Sequence, residues 1–336
     1  MTRNGNPRVV VITGASGGVG RAVARRFAQQ GCRIGLLARG RDGLEAARRE
    51  VESLGGEAMV IPADVSDPSQ IENAATTVEE HFGPIDIWVN NAMVSMYAPF
   101  MEMSPEEFRH ITAVTYFGYV YGTQSALKRM LPRDRGVIIQ IGSALAHRSI
   151  PLQSAYCGAK HAINGFTESV RTELLHQGSK VRLSIVSLPG VNTTQFEWTK
   201  NKMPNKPRPT GPIFQPEVAA QAVAFVADHD RKEIYVGGPT VESVVGEKIA
   251  PRLMDRYLAH AAWEGAFRDE PDDPNRPDDF WQPVPGDHGA HGPFDRIAKA
   301  RSIQLWITMH RRLLMAALGA IAFAACGLAM SRRRET

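Results

Sequence analysis

The chain has 336 residues, 43% of them hydrophobic, and a net charge of +4 at neutral pH. That length allows one large α/β domain plus an appendage, with enough apolar residues for a buried core. The small, interleaved charge argues against nucleic acid as a partner, and Cys32, Cys157 and Cys326 are too few and too scattered for a disulfide framework or a metal site.

The N-terminus runs into a strand without an apolar secretory stretch, so no signal peptide is expected. From residue 8 to about 238, short β-branched runs alternate with longer amphipathic stretches, the signature of repeated βα units. Val9-Val10-Val11-Ile12 reads as the first strand and 19–30 as the helix after it. Further strands are expected at 33–38, 58–61, 85–89, 136–141, 181–186 and 233–236. The expected fold is an α/β doubly wound parallel sheet, a Rossmann fold of about seven strands, followed by a C-terminal helical extension. Right-handed crossovers set the carboxyl ends of the strands along one edge, where such sheets bind ligands.

The domain reading is 1–240 for the Rossmann-type unit, 241–268 for a helical extension, 269–302 for a linker or irregular coil, and 303–336 for an apolar helix. The stretch 269–293 is dense in Pro, Asp, Gly and His, and is expected either to tether flexibly or to lie on the surface. Residues 313–330 carry no charge and would give roughly 27 Å of helix, just enough to cross a hydrocarbon core. His310-Arg311-Arg312 and Arg332-Arg333-Arg334 bracket that run, and Trp306 suits an interfacial anchor. The expectation is a membrane anchor with the domain ahead of it facing the cytoplasm; the alternatives are a helix buried in an oligomer interface or a loosely ordered tail, on a soluble cytoplasmic protein.

A Thr13-Gly14-x-x-x-Gly18-x-Gly20 loop occupies the first βα turn. Gly14, Gly18 and Gly20 let the backbone turn tightly and approach a pyrophosphate at a helix N-terminus. At the end of the second strand, Leu36-Leu37-Ala38-Arg39-Gly40-Arg41 offers no acid to a ribose 2′-hydroxyl. Arg39 instead suits a 2′-phosphate and so NADP, with Arg41 and Ser16 assisting. Tyr156 and Lys160 fall at i and i+4, placing the ammonium beneath the phenol to favour its ionised form. Ser143, at the end of the fifth strand, would hold the carbonyl oxygen that Tyr156 protonates.

Together these motifs resemble the short-chain dehydrogenase/reductase family over about residues 7–240. The resemblance implies that Tyr156 donates the proton in reduction, Lys160 lowers its pKa and bonds the nicotinamide ribose, and Ser143 orients the carbonyl, the hydride coming from the cofactor. It places Asp64 at the adenine edge and makes Asn90 of Asn90-Asn91-Ala92 a brace for sheet and cofactor. Pro189, Gly190 and Thr193 of Pro189-Gly190-Val191-Asn192-Thr193 resemble part of the cofactor loop that meets the carboxamide. Met93 stands where the family motif has Gly. Thr115 of Val114-Thr115-Tyr116-Phe117-Gly118 stands where the family often has an Asn holding a relay water. A homo-oligomer is implied by the same resemblance.

The expected activity is an NADP-dependent oxidoreductase interconverting a carbonyl and a secondary alcohol. Met93, Val94, Met96, residues 145–152 and an expected mobile lid at 195–214 lean towards a lipophilic substrate. The competing class is a non-catalytic, membrane-tethered NADP-binding sensor or scaffold, which an intact Ser143, Tyr156 and Lys160 oppose.

Overall fold

The computed structural model describes residues 7–311 and 314–315. Its centre is a parallel sheet of seven strands: β1 Val9–Thr13, β2 Arg33–Ala38, β3 Glu57–Pro62, β4 Ile87–Asn90, β5 Val137–Ser143, β6 Arg182–Leu188 and β7 Glu233–Tyr235. They run in the order β7-β6-β5-β4-β1-β2-β3. Each expected strand is found, with shifts of a residue or two at its ends. Strands such as Val9–Thr13 and Val137–Ser143 are buried at every position, as a sheet covered on both faces requires.

Helices α1 (Gly18–Ala28), α2 (Arg41–Ser53) and α7 (Pro216–Asp228) bury one face, where Phe27, Leu44 and Val223 are 0% exposed. Helices α3 (Pro68–Phe82), α4 (Pro105–Thr112), α5 (Gly118–Met130) and α6 (Ser154–His176) cover the other, around Trp88, Ile71 and Ile111. A π-helical turn, Ala113–Phe117, joins α4 to α5. The chain reverses its winding between β1 and β4, which opens a crevice at their carboxyl ends.

After β7 come α8 (Gly238–Ile249) and α9 (Pro251–Gly265), then a strand Phe267–Pro271 paired antiparallel with Asn205–Pro207. Of the two readings of 269–293, the structure has coil laid on the domain rather than a free tether. Phe280 is 0% exposed and Phe294 7%, and these two aromatics pin a stretch whose remaining composition is that of a linker. The expected lid at 195–214 is likewise tied down, by short pairings of 200–201 with Met96–Tyr97, of 205–207 with Phe267–Pro271, and of Ile213–Phe214 with Gly190–Val191. Among the described residues no helix is long and apolar enough to cross a membrane. The anchor expected at 313–330 lies almost wholly outside the described residues.

Candidate active site

One cleft at the switch point is lined by Gly14, Ser16, Gly18, Arg39, Asp64, Ser143, Tyr156, Lys160, Pro189, Gly190 and Thr193. Residues up to 179 positions apart in the sequence are brought together because every one follows the carboxyl end of a strand or opens the next helix. Gly14 has φ of +67°, a left-handed conformation costly for other residues. A side chain on Gly20 would put its Cβ 2.1 Å from the Gly14 carbonyl oxygen, so the loop closes only without one. This bare turn sits at the N-terminus of α1, where free N–H groups and the helix dipole favour a phosphate.

Asp64 ends the connection from β3 and is held by Ser66, whose N–H and hydroxyl donate to Oδ1 at 2.9 and 2.7 Å. Arg39 reaches the cleft from β2, but its guanidinium also donates to three backbone carbonyls of the C-terminal coil, those of Asp279, Phe280 and Trp281. Arg41 points away and pairs with Glu45 at 3.8 Å.

At the other end, Tyr156 and Lys160 open α6 as expected, and Ser143 ends β5. Their electrostatics differ from the sequence expectation. The Lys160 ammonium lies 5.6 Å from the Tyr156 ring centroid and donates instead to the Tyr119 hydroxyl at 3.0 Å and the Ile141 carbonyl at 2.7 Å. Burial pushes the Tyr156 phenol above its usual range, with the Ser143 hydroxyl pulling part of the way back. Burial lowers Lys160 to about 7. The protein's own groups therefore hold Tyr156 neutral, the form that gives up a proton.

Beyond Gly20, which backs the bare turn, two expected site residues do not reach the cleft. Asn90 is fully buried behind it, accepting from Trp88 Nε1 at 2.7 Å and donating to Gln140 at 2.8 Å and Thr123 at 3.2 Å. It braces β4, β5 and α5, while Asn91 next to it lines the cleft and donates to the Thr13 carbonyl at 3.0 Å. Thr115, in the π turn, is 0% exposed and spends its hydroxyl on Val94, donating to that carbonyl at 2.8 Å and accepting from its N–H at 3.1 Å. That commitment corrects the relay expectation: Thr115 clamps the loop after β4, and Tyr119, one turn later, is the residue that touches Lys160. Thr115→Val should leave two buried backbone groups unpaired and destabilise the fold by about 2 kcal/mol or more. Urea unfolding would read this, and a variant as stable as wild type would remove the clamp.

Sequence reasoning missed Tyr119, whose aromatic ring looks like any helix core residue. It also missed Met254 and Leu258 of α9 and Pro283 of the C-terminal coil, which line the cleft from far along the chain. Met96, expected in the pocket, is 0% exposed in the core under it. Cys157 is buried beside Tyr156 and packs as a small core residue.

A cleft at the switch point of a parallel sheet, with a bare turn at one end and a neutral phenol at the other, is an arrangement in which a dinucleotide-dependent oxidoreductase can work. Comparison with known proteins agrees. The short chain dehydrogenase family model matches residues 8–205. The chain belongs to that family, the short-chain dehydrogenases/reductases, and is an oxidoreductase of CH–OH and C=O groups that uses a nicotinamide cofactor. It is 31% identical over 269 residues to an uncharacterized oxidoreductase, YxnA, of Bacillus subtilis, covering 80% of this chain and 76% of that one. A metagenomic short-chain oxidoreductase solved in complex with NADP is 30% identical with a TM-score of 0.59, covering 69% of this chain and 97% of that one. An alcohol dehydrogenase from the archaeon Thermococcus sibiricus, complexed with 5-hydroxy-NADP, is 28% identical with a TM-score of 0.60, over 69% of this chain and 96% of that one.

Proposed function

We propose that the protein is an NADP(H)-dependent enzyme that interconverts a lipophilic ketone and its secondary alcohol. The observation that carries the cofactor choice is Arg39 at the end of β2, on the wall of the cleft, with no carboxylate in β2 or its turn to meet a ribose 2′-hydroxyl. A guanidinium has five N–H donors, so three carbonyl partners do not exhaust it. Two solved relatives hold NADP or a derivative of it, which supports the same reading.

The bound nicotinamide supplies the hydride. Tyr156, neutral through burial, donates its proton to the oxygen that becomes the alcohol, and the Ser143 hydroxyl holds that oxygen in place. Lys160, fixed by Tyr119 and Ile141, lies close enough for its charge to favour the phenolate left behind. Asp64 and the bare turn before α1 are suited to the adenosine and pyrophosphate, and Pro189, Gly190 and Thr193 to the nicotinamide side. Met93, Val94, Leu145, Ile150, Phe196 and Leu258 give the substrate end apolar walls, which supports a lipophilic substrate. Because α9 and the C-terminal coil line this cleft, the catalytic unit extends beyond residue 240.

NADPH oxidation with ketones of increasing apolar size tests the reading; a scaffold would bind NADPH and turn nothing over. Arg39→Asp should lower NADPH affinity at least about tenfold, since a charge-assisted contact worth roughly 1.5–3 kcal/mol is lost. NADH affinity should not fall under the same change, because the new carboxylate can accept from the ribose 2′-hydroxyl. Equal NADPH affinity in wild type and variant would defeat the NADP assignment.

A further inference from the structure

The bare turn and Arg39 share a neighbour that the reaction does not call on. Residues 279–292 run across the adenosine end of the cleft, from the end of β2 to the N-terminus of α1. Arg39 holds the near end through the carbonyls of Asp279, Phe280 and Trp281. At the far end the Gly18 N–H donates to the Gly289 carbonyl at 3.2 Å, and Arg21, 1% exposed, reaches the Asp287 carboxylate at 3.0 Å. Between them, Gly286 donates its N–H to Asp42 at 3.0 Å and Pro283 packs beside Gly40.

The anchoring is uneven. Phe280 and Phe294 are sunk in the core at 0% and 7% exposure, whereas residues 285–288 between them are exposed, without regular structure. Buried aromatics hold firmly; the middle is held by polar contacts, the Arg21 pair with a half-exposed Asp287 and the Gly286 bond to Asp42, which water competes for. This is a strap with two firm ends and a loose middle.

The strap lies over the two points that a nicotinamide dinucleotide must reach, with its loose middle between them. The pyrophosphate needs the N–H groups at the start of α1, and the adenosine ribose needs the end of β2. Gly18 and Arg39 are the strap's own partners at those points. We propose that residues 279–292 are a clasp over the adenosine half of the bound dinucleotide, and that lifting the middle of the clasp admits and releases the cofactor. The proposal rests on the nicotinamide site described above, and it holds for either dinucleotide.

The test fastens the clasp reversibly. A Cβ placed on Gly40 would lie 3.2 Å from the Pro283 Cβ, and a small shift reaches the roughly 3.8 Å of a disulfide. Gly40 has φ of −83°, open to any residue. In the full chain, Gly40→Cys and Pro283→Cys are combined with Cys326→Ser; Cys32 and Cys157 are buried. The bond is closed either before or after loading with NADPH, and separately with NADH, and rates are followed by nucleotide fluorescence in stopped flow.

Closing it first should slow uptake at least tenfold, closing it after loading should slow release at least tenfold, and a reductant should restore both. Unchanged rates would overturn the clasp. So would loaded protein that cannot form the bond while free protein can, because strap and dinucleotide would then compete for one space. Uptake of NADH without NADPH would instead defeat the NADP reading and leave the clasp standing. A second measurement needs no substitution: amide hydrogen exchange of peptides spanning 281–289 in the wild-type chain should slow on NADPH addition, and exchange that does not change counts against the clasp.

Discussion

Tyr156→Phe should lower turnover by about 10²- to 10⁴-fold while NADPH affinity stays within about twofold of wild type. The loss equals roughly 3–5.5 kcal/mol of barrier and reports one missing proton donor. The expectation follows from where the hydroxyl sits. Tyr156 is half-buried on the wall of the cleft, its ring packs against the core around Trp88, and its phenol is held neutral by burial. Phenylalanine keeps the ring and its packing, so the fold and the cofactor half of the cleft are untouched. Only the transferable proton goes, because Ser143 can hold an oxygen but is a far weaker acid. Single-turnover oxidation of bound NADPH separates chemistry from product release. A variant retaining more than a few per cent of the wild-type rate would show that the proton comes from elsewhere, with Tyr119 and its neighbour Lys160 the first places to look.

What the sequence disclosed, and what it hid, divides along physical lines. The strands were legible because a parallel sheet covered on both faces demands unbroken apolar runs, such as Val9 to Ile12, and each run is local. The bare turn was legible because Gly14 and Gly20 answer to constraints within a few residues of themselves. Ser143, Tyr156 and Lys160 were found by spacing, and spacing says which residues meet. It does not say what else a side chain touches. Lys160 was expected to act on Tyr156 and the nicotinamide ribose, yet Tyr119, 41 positions away, takes one of its hydrogen bonds. Thr115 could be matched to a family position, but its partner Val94 lies 21 positions away. The coil at 269–293 left two readings open for a related reason: Pro and Asp dominate its composition, and two aromatics, Phe280 and the adjoining Phe294, decide its placement. Single anchors leave no periodic trace.

Lys160→Met should abolish most of the turnover and still make the protein more stable at pH 6, by about 2 kcal/mol or more. Lys160 is 2% exposed, and burial brings its pKa from 10.5 down to about 7. Below pH 7 the folded chain must carry this charge inside, and folding is penalised in full. Between pH 7 and 10.5 the unfolded chain binds a proton that the folded chain has shed, so wild-type stability rises with pH through that window. The whole shift corresponds to a penalty on the order of 5 kcal/mol. The hydrogen bonds to Tyr119 and Ile141, and the Tyr119 ring 4.7 Å from the ammonium, favour the charged form and offset part of it. Methionine fills similar volume without charge, so it removes the penalty and leaves the Tyr119 hydroxyl its bond to the Ile141 carbonyl at 3.0 Å. The gain should therefore be largest at pH 6 and shrink by pH 9, as read by urea unfolding at the two pH values. A variant that is destabilised at pH 6, or whose gain does not change with pH, would mean that Lys160 is held as a charge without cost. A gain that shrinks with pH would show that the fold gives up stability to hold an ammonium 5.6 Å from the Tyr156 ring.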